Sequence, residues 1–329
     1  MANEMGIVKW SCLLIGGMLA ACAGAAEGDA PHARRPRVWM MPPGHDNGRS
    51  LRELFEQPDA WKETRTRVDV LGYADHNLDR QFTDDQLRAW FAKLRKWGIK
   101  LGLETGAIKP WGKTGEQTFR IERPKWERFE RLGGSLYALA MDEPLLCCRK
   151  HINQSDEYAV TETAAFIALV RRHFPNVLLG DIETFPSIPR ADHIWWIDTL
   201  NRRLAELGVR GLDFYRLDVN WVNFVVQNQG TWREVRELER YCRSRSLPFS
   251  LIYWASDYPP LQRQGLADDS TWYVSIMRQG YDYALVGGAP EEYVIESWVQ
   301  APARCVPEVE DFTFTRSVRD FAYRFVTRP

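Results

Sequence analysis

Short apolar runs alternate with longer segments of helical periodicity from about residue 37 onward. Parallel strands buried on both faces appear as continuous apolar runs, and the crossover helices between them place apolar residues three or four positions apart. The runs recur every 30 to 45 residues or so, about the length of a strand, a helix and two loops. The pattern predicts eight strands, which begin near Val38, Val68, Ile99, Leu136, Val177, Gly211, Phe249 and Tyr293.

Residues 83–98 carry the clearest helix signal. Thr83 and Gln86 have the spacing of a capping box, apolar residues follow at helical spacing, and Gly98 is a typical C-terminal residue. Further helices are predicted near 160–174, 194–207, 231–242 and 315–326. The apolar run 272–277 is ambiguous, because it could be an additional strand or even the eighth one. This alternation predicts an α/β fold, a (β/α)8 or TIM barrel, formed as one catalytic domain by residues 37–329.

The first 26 residues have the pattern of a signal peptide. Lys9 precedes an apolar stretch that runs to about Ala26 and is rich in small residues. Within it, residues 19–22 (LAAC) resemble a bacterial lipoprotein box, which predicts a lipid on Cys22 and attachment to a membrane. The alternative is simple secretion after Ala23 or Ala26. We therefore expect an exported protein, which is periplasmic, an outer-membrane lipoprotein or extracellular, with residues 27–36 as a tether.

The composition favours a globular protein with a neutral ligand. Hydrophobic residues make up 45% and charged residues 26% of the chain, and the formal net charge of -1 gives no reason to expect a nucleic-acid partner. The 14 tryptophans exceed what is usual, and a sugar-binding cleft would need such flat apolar rings. Outside the leader, Cys147, Cys148, Cys242 and Cys305 have no zinc-site spacing, and an oxidising compartment would allow one or two disulfides among them.

Acidic residues occur at or beside the carboxyl ends of seven predicted strands. Active sites of (β/α)8 barrels lie at this end, and several acids converging on one cleft are difficult to explain by stability alone. Any single one of them could instead cap a helix or a turn. The acids are Asp75, Glu104, Asp142, Glu143, Asp181, Glu183, Asp218, Asp257 and Glu296, with His45 and Asp46 after the first strand.

Asp142-Glu143-Pro144 is the sharpest of these signals because it follows a smooth apolar run. Burial would raise the pKa of Glu143 and make it a proton donor. We expect Glu183 or Glu296 to be its catalytic partner. The predicted substrate-binding residues are the acids and the histidine nearest the strand ends and the tryptophans beside them, namely Asp142, Asp181, Asp218, Asp75, His45, Trp221, Trp254 and Trp298.

Other chemistries have less support in the sequence. The six histidines include no His-x-His pair, no Gly-x-Ser-x-Gly motif occurs, and no lysine ends a predicted strand. We therefore expect neither a metal nor a cofactor. Acids and aromatic rings together indicate acid–base chemistry on a polyhydroxylated substrate, and glycoside hydrolysis needs little more than two carboxyl groups.

At Asp142-Glu143-Pro144 the sequence resembles the large retaining clan of barrel glycosidases, clan A, which carries Asn-Glu-Pro at the end of strand four. The resemblance implies that Glu143 is the acid/base, with Asp142 in place of the asparagine. That clan has a nucleophilic glutamate at the end of strand seven, where this chain offers only Asp257. The adjacent Asp-Glu pair also resembles the hexosaminidase arrangement, in which the aspartate supports a substrate acetamido group.

These observations lead to one main hypothesis, an exported glycoside hydrolase that cleaves an oligo- or polysaccharide. Two alternatives stay open. A non-catalytic surface lipoprotein would bind glycan and keep the tryptophans, but it would tolerate the loss of Glu143. A metal-assisted barrel lyase or isomerase would hold a metal ion at the acidic cluster.

Overall fold

The computed structural model describes residues 35–326, which form a closed barrel of eight parallel strands in sequence order. The first and last strands pair directly, from Arg37 opposite Glu292 to Met41 opposite Glu296, so no sheet edge remains. The predicted (β/α)8 fold is confirmed. The strands are β1 Arg37–Met41, β2 Val70–Ala74, β3 Lys100–Thr105, β4 Leu136–Asp142, β5 Leu178–Phe185, β6 Phe214–Val219, β7 Phe249–Tyr253 and β8 Glu292–Glu296.

Helices of very different length connect the strands and cover the barrel. A 3-10 turn at Pro58–Trp61 and a π-helical turn at Cys148–Ile152 complete the regular structure. The helices are α1 Arg49–Glu56, α2 Lys62–Arg65, α3 Asp75–Gln81, α4 Asp84–Trp97, α5 Gly115–Arg131, α6 Pro144–Cys147, α7 Asp156–His173, α8 Arg190–Glu206, α9 Val222–Val226, α10 Trp232–Ser244, α11 Tyr258–Gln262, α12 Asp269–Leu285 and α13 Phe314–Phe325.

Local sequence signals explain where the long helices begin and end. Thr83 and Gln86 form both hydrogen bonds of the predicted capping box at the start of α4, and Gly98 ends that helix with a left-handed backbone. A second capping box, Thr114 with Gln117, starts α5. The apolar side of α4 is buried against the barrel, as its spacing predicted.

The suggestion that residues 272–277 form a strand is wrong, since they lie inside α12. Asp268 caps this helix through the backbone N–H of Thr271. Trp272 and Ile276, one helical turn apart, are buried, whereas Val274 on the other side is 59% exposed. A six-residue apolar run cannot by itself distinguish a strand from a largely buried helix face.

The lower half of the barrel interior holds a buried ionic layer. Arg216 is fully buried, its guanidinium lies 4.1 Å from the ring centroid of Trp39, and it donates to Ser250 at 2.9 Å and Glu292 at 3.4 Å. Gly102 on β3 makes room for Trp39, because a Cβ atom there would lie 2.1 Å from the indole. Above this layer, the interior opens towards the carboxyl ends of the strands.

The last helix completes the outer layer. Phe321 of α13 is fully buried, with its ring centroid 4.5 Å from that of Tyr253 on β7 and 6.3 Å from that of Tyr293 on β8. Both tyrosines point outward from the barrel, so α13 covers the seam between these two strands. The C-terminal helix was predicted over 315–326, within one residue of its observed bounds.

The predicted signal peptide, the lipoprotein box at Cys22 and most of the tether lie outside the described residues. Between residues 35 and 326, no helix combines the length and the apolar character needed to cross a membrane. Cys147, Cys148, Cys242 and Cys305 are buried and have free thiols.

Candidate active site

A cavity of about 590 Å³ opens at the carboxyl ends of the strands. Its volume lies within the range of roughly 300–1,000 Å³ that is usual for ligand sites. The carboxyl groups of five residues line it, namely Glu104, Asp142, Glu143, Asp218 and Glu296. They come from β3, β4, β6 and β8 and from the turn after β4, so the barrel alone brings them together.

Glu143 lies in a sharp turn between β4 and α6. Its backbone is left-handed, with φ 51° and ψ 51°, and its N–H donates to the carbonyl oxygen of Ile182 at 3.0 Å. Pro144 then provides the first residue of α6, for which its fixed φ is suited. The turn places both Asp142 and Glu143 at the cavity, although they are adjacent in sequence.

Burial raises the pKa of Glu143 to about 7, and the neighbouring Asp142 contributes to the increase. Asp142 itself forms a hydrogen-bonded ion pair with Lys109, from the loop after β3. Burial opposes the charge on Lys109, but the Asp142 carboxylate raises the lysine pKa overall. A carboxyl group with a pKa near neutrality therefore lies beside a paired carboxylate, which suits Glu143 to proton transfer.

Glu104 and Glu296 form a second carboxyl pair, joined by a side-chain hydrogen bond. Such a bond requires a proton on one of the two groups. Burial raises the pKa of Glu104 to about 8, and the nearby Asp142 adds to the increase. Burial also raises the pKa of Glu296 well above its usual range, and there the neighbouring Glu104 adds to the increase. The guanidinium of Arg216 below opposes both increases. The pair can thus hold or release one proton near neutral pH.

Several buried polar atoms at the cavity have no hydrogen-bond partner within the protein. Among them are Asn220 Oδ1 and Thr184 Oγ1, whereas Trp254 Nε1 donates towards the carboxyl group of Asp218. Buried polar groups normally find partners, so these atoms indicate a place for a ligand or solvent with several donors and acceptors. Burial raises the pKa of Asp218 well above its usual range, and the charge of the nearby Glu143 adds to the increase. A protonated Asp218 could therefore donate as well as accept.

Two of the predicted tryptophans form one wall of the cavity. The ring centroids of Trp254, at the end of β7, and Trp298, after β8, are 4.3 Å apart at an interplanar angle of 35°. Trp254 is buried and Trp298 is 42% exposed, so the wall extends from the cavity to its mouth. Trp221 does not line the cavity, because it is buried under the guanidinium of Arg278, 4.7 Å from the ring centroid.

The structure does not bring Asp181 and Glu183 into the cavity. They share one face of β5, as their spacing predicted, but that face points towards the helices. Asp181 accepts from Trp196 Nε1 at 2.6 Å, and both oxygens of Glu183 accept backbone N–H groups at the start of α6. The inward positions on this strand belong to Ile182 and Thr184.

Asp75 also lies away from the cavity. It is buried, accepts from Thr105 and Trp126 at 2.7 and 3.0 Å, and forms an ion pair with Lys125. Asp257, the acid nearest to the position of the clan A nucleophile, is not among the residues that line the cavity. His45, an exposed residue after β1, does line it.

Several residues that line the cavity or support it could not be identified from the sequence. Glu104 was recognised only as a strand-end acid, although Gly102 and Glu104 share the inward face of β3. Lys109 and Asn220 come from loops, Tyr73 from the end of β2 and Asn77 from the first turn of α3, where no periodicity indicates which side chains face the barrel axis. Within residues 35–326, no three His, Cys, Asp or Glu side chains are arranged so that they could hold a metal ion.

No protein-family model matches the chain, and no curated protein matches it. Solved structures similar in fold include an intracellular xylanase from Thermoanaerobacterium saccharolyticum, with a TM-score of 0.52, 10% sequence identity, and coverage of 84% of this chain and 93% of the xylanase. A D-psicose 3-epimerase has a TM-score of 0.51 and 10% identity, with coverage of 88% of this chain and 99% of the epimerase. At such low identity, these similarities establish the barrel fold alone.

Proposed function

We propose that the protein is a glycoside hydrolase with Glu143 as its proton donor. One observation carries the proposal: a single cavity combines a carboxyl group with a pKa of about 7, a second pair of carboxyl groups and a wall of two tryptophans. Glycoside hydrolysis requires an acid that remains protonated near neutral pH and a carboxylate on the other side of the bond.

Glu143 would protonate the oxygen of the departing sugar. A carboxylic acid with its usual pKa would be ionised at neutral pH, but burial keeps a large fraction of Glu143 protonated. Once it has given up its proton, Glu143 would act as the base that activates water. The Asp142–Lys109 ion pair beside it would bind substrate hydroxyls and hold the local charge constant.

Glu296 would be the partner of Glu143, since Glu183 lies outside the cavity. In the resting pair Glu296 keeps the shared proton and Glu104 accepts the hydrogen bond. Glu296 would act as nucleophile or as base to water once that proton has passed to Glu104. Developing positive charge on the sugar ring would favour the ionised form of this pair. Asp218 would bind hydroxyl groups, and the Trp254–Trp298 wall would stack against a sugar face.

The first experiment is hydrolysis of a panel of glycans and aryl glycosides by the full chain and by Glu143→Gln. We expect the variant to lose about 10²- to 10⁴-fold in kcat on natural glycosides, the usual contribution of a general acid. Dinitrophenyl glycosides, whose leaving group needs no proton, should lose much less. Glu157→Gln, on the exposed side of α7, is the matched control and should keep parental rates.

Three results would contradict the proposal. Equal rates for the parent and Glu143→Gln would exclude Glu143 as the acid. A loss independent of the leaving group would indicate that Glu143 has another role. If the parent cleaves no member of the panel but binds glycans, the protein is a carbohydrate-binding barrel. We also propose that the protein is exported, with or without a lipid on Cys22, because polymeric glycans occur outside the cytoplasm.

A further inference from the structure

Trp111 is an exposed indole at the mouth of the barrel that the proposed reaction does not use. Of the tryptophans in the described part of the chain, Trp111 and Trp298 are the two exposed ones, at 53% and 42%. Both belong to loops that follow the carboxyl ends of strands, β3 and β8. Trp298 lines the cavity, and Trp111 lies in a loop at the same end of the barrel.

The loop holds Trp111 in a defined position. Lys109 and Gly112 exchange two backbone hydrogen bonds, of 3.1 and 2.9 Å, and so form a tight turn around Trp111. The ring tip lies over Gly106, where a Cβ atom would be 2.7 Å from the indole. Position 106 continues the inward alternation of Gly102 and Glu104. Trp111 therefore packs on the backbone just beyond the carboxyl end of β3, outside the set of residues that line the cavity itself.

The same turn is connected to the catalytic groups. The aliphatic part of Lys109 also lies over Gly106, and its ammonium group pairs with Asp142. Trp111 thus lies next to the side chain that supports the carboxylate beside Glu143. A ligand that stacks on Trp111 would extend from the rim towards the glycosidic bond above Asp142 and Glu143.

The two aromatic positions face each other across the barrel. In a closed ring of eight, β3 and β7 are separated by three strands on either side, so Trp111 stands opposite Trp254 and its neighbour Trp298. Eight strands at the usual spacing and tilt give a barrel about 15 Å across. A ligand that contacts both sides must be longer than one sugar ring.

We propose that Trp111 is a second stacking platform and that the substrate is a carbohydrate chain of several units that crosses the mouth from β7 and β8 to β3. The inference deepens the proposed hydrolase and relies on it for the class of ligand. Trp254 and Trp298 bind one part of the chain, the bond to be cleaved lies over Glu143 and Glu296, and Trp111 binds the part on the other side.

Binding to chains that cannot be cleaved tests this arrangement separately from catalysis. The full-length Glu143→Gln variant is titrated calorimetrically with the disaccharide and hexasaccharide of the cello-, xylo-, manno-, chito- and malto-series. We expect one series to bind, with a hexasaccharide tighter than its disaccharide. Adding Trp111→Ala should weaken hexasaccharide binding by about five- to tenfold, the effect of losing roughly one aromatic contact. Trp111→Phe should restore part of the loss.

Tyr323→Ala in the same background is the control, because Tyr323 is 50% exposed on α13, outside the barrel mouth. Equal weakening by both substitutions, or a ratio of hexasaccharide to disaccharide affinity that Trp111→Ala leaves unchanged, would overturn the role of Trp111. The hydrolase proposal would survive that result if the parent cleaves glycans. Failure of every series to bind would overturn the chain-binding inference, while the separate hydrolysis panel decides on catalysis.

Discussion

Glu104 shows how the chemistry of the cavity affects folding at the scale of one residue. Its carboxyl group is taken out of water next to Asp142 and Glu296, and its pKa rises to about 8 from 4.5. The folded protein therefore keeps a proton that the unfolded chain releases at lower pH. The stability that this proton contributes is complete below about pH 4.5 and is lost as the pH rises towards 8.

Replacing Glu104 by glutamine should remove this dependence on pH. The amide cannot ionise, and it can still donate a hydrogen bond to Glu296. We expect the difference in unfolding free energy between the variant and the parent to increase by about 3 kcal/mol from pH 5 to pH 8 in favour of the variant, since one pKa unit corresponds to about 1.4 kcal/mol. Urea titrations at both pH values measure the difference. A constant difference, or one that matches the Glu157→Gln control, would show that Glu104 titrates normally.

At the scale of the element, β5 and α6 depend on each other through Glu183. The carboxylate accepts the backbone N–H groups of Leu145 at 2.6 Å and Leu146 at 3.2 Å, which the short helix α6 cannot satisfy internally. Glu143 is the residue that precedes this helix. The outward face of β5 thus fixes the turn that presents the proposed proton donor.

Glu183→Ala should therefore destabilise the protein rather than remove a reacting group. Two buried backbone donors would lose their acceptor, at a cost of about 1–3 kcal/mol. The midpoint of urea unfolding should decrease accordingly. For comparison, Glu296→Gln should abolish most hydrolysis and leave the midpoint equal to or above that of the parent. If Glu183→Ala retains full stability but loses all activity, Glu183 belongs to the catalytic machinery after all.

The same strand shows what could be predicted from the sequence and what could not. Apolar runs and caps such as Thr83 predicted all eight strands and the main helices, because these signals are local. They could not reveal which face of β5 carries the site, since both faces are buried. The partners of Asp181 and Glu183 lie 15 and 38 residues away, so only the tertiary structure identifies the face.

At the scale of the whole molecule, the candidate site exists only while the ring is closed. The five carboxyl groups come from β3, β4, β6, β8 and the turn after β4, and none of these segments brings two distant acids together alone. Asp142-Glu143-Pro144 was recognisable because its residues are adjacent. The pair of Glu104 with Glu296 was not, because the two residues are 192 positions apart, more than half of the chain, and meet only when the ring has closed.

A substitution in α13, which covers the seam between β7 and β8, tests whether the closed barrel unfolds as one unit. Phe321→Ala would leave a cavity against Tyr253 and Tyr293 at the seam of β7 and β8. We expect a loss of about 3–5 kcal/mol in unfolding free energy. Tyr323→Ala on the exposed side of the same helix should cost far less. Urea unfolding followed by both fluorescence and circular dichroism should remain a single transition if the barrel folds as one unit.

The left-handed backbone of Glu143 has a consequence for the evolution of such a barrel. A side chain other than glycine held there costs about 1–2 kcal/mol, which glycine would avoid and asparagine would reduce. Mutational drift at this position is therefore biased towards a more stable protein that has lost the proposed proton donor. Descendants released from selection for catalysis should keep the barrel and the tryptophan wall and carry a small residue at position 143. Binding proteins would then arise from this scaffold more readily than the reverse.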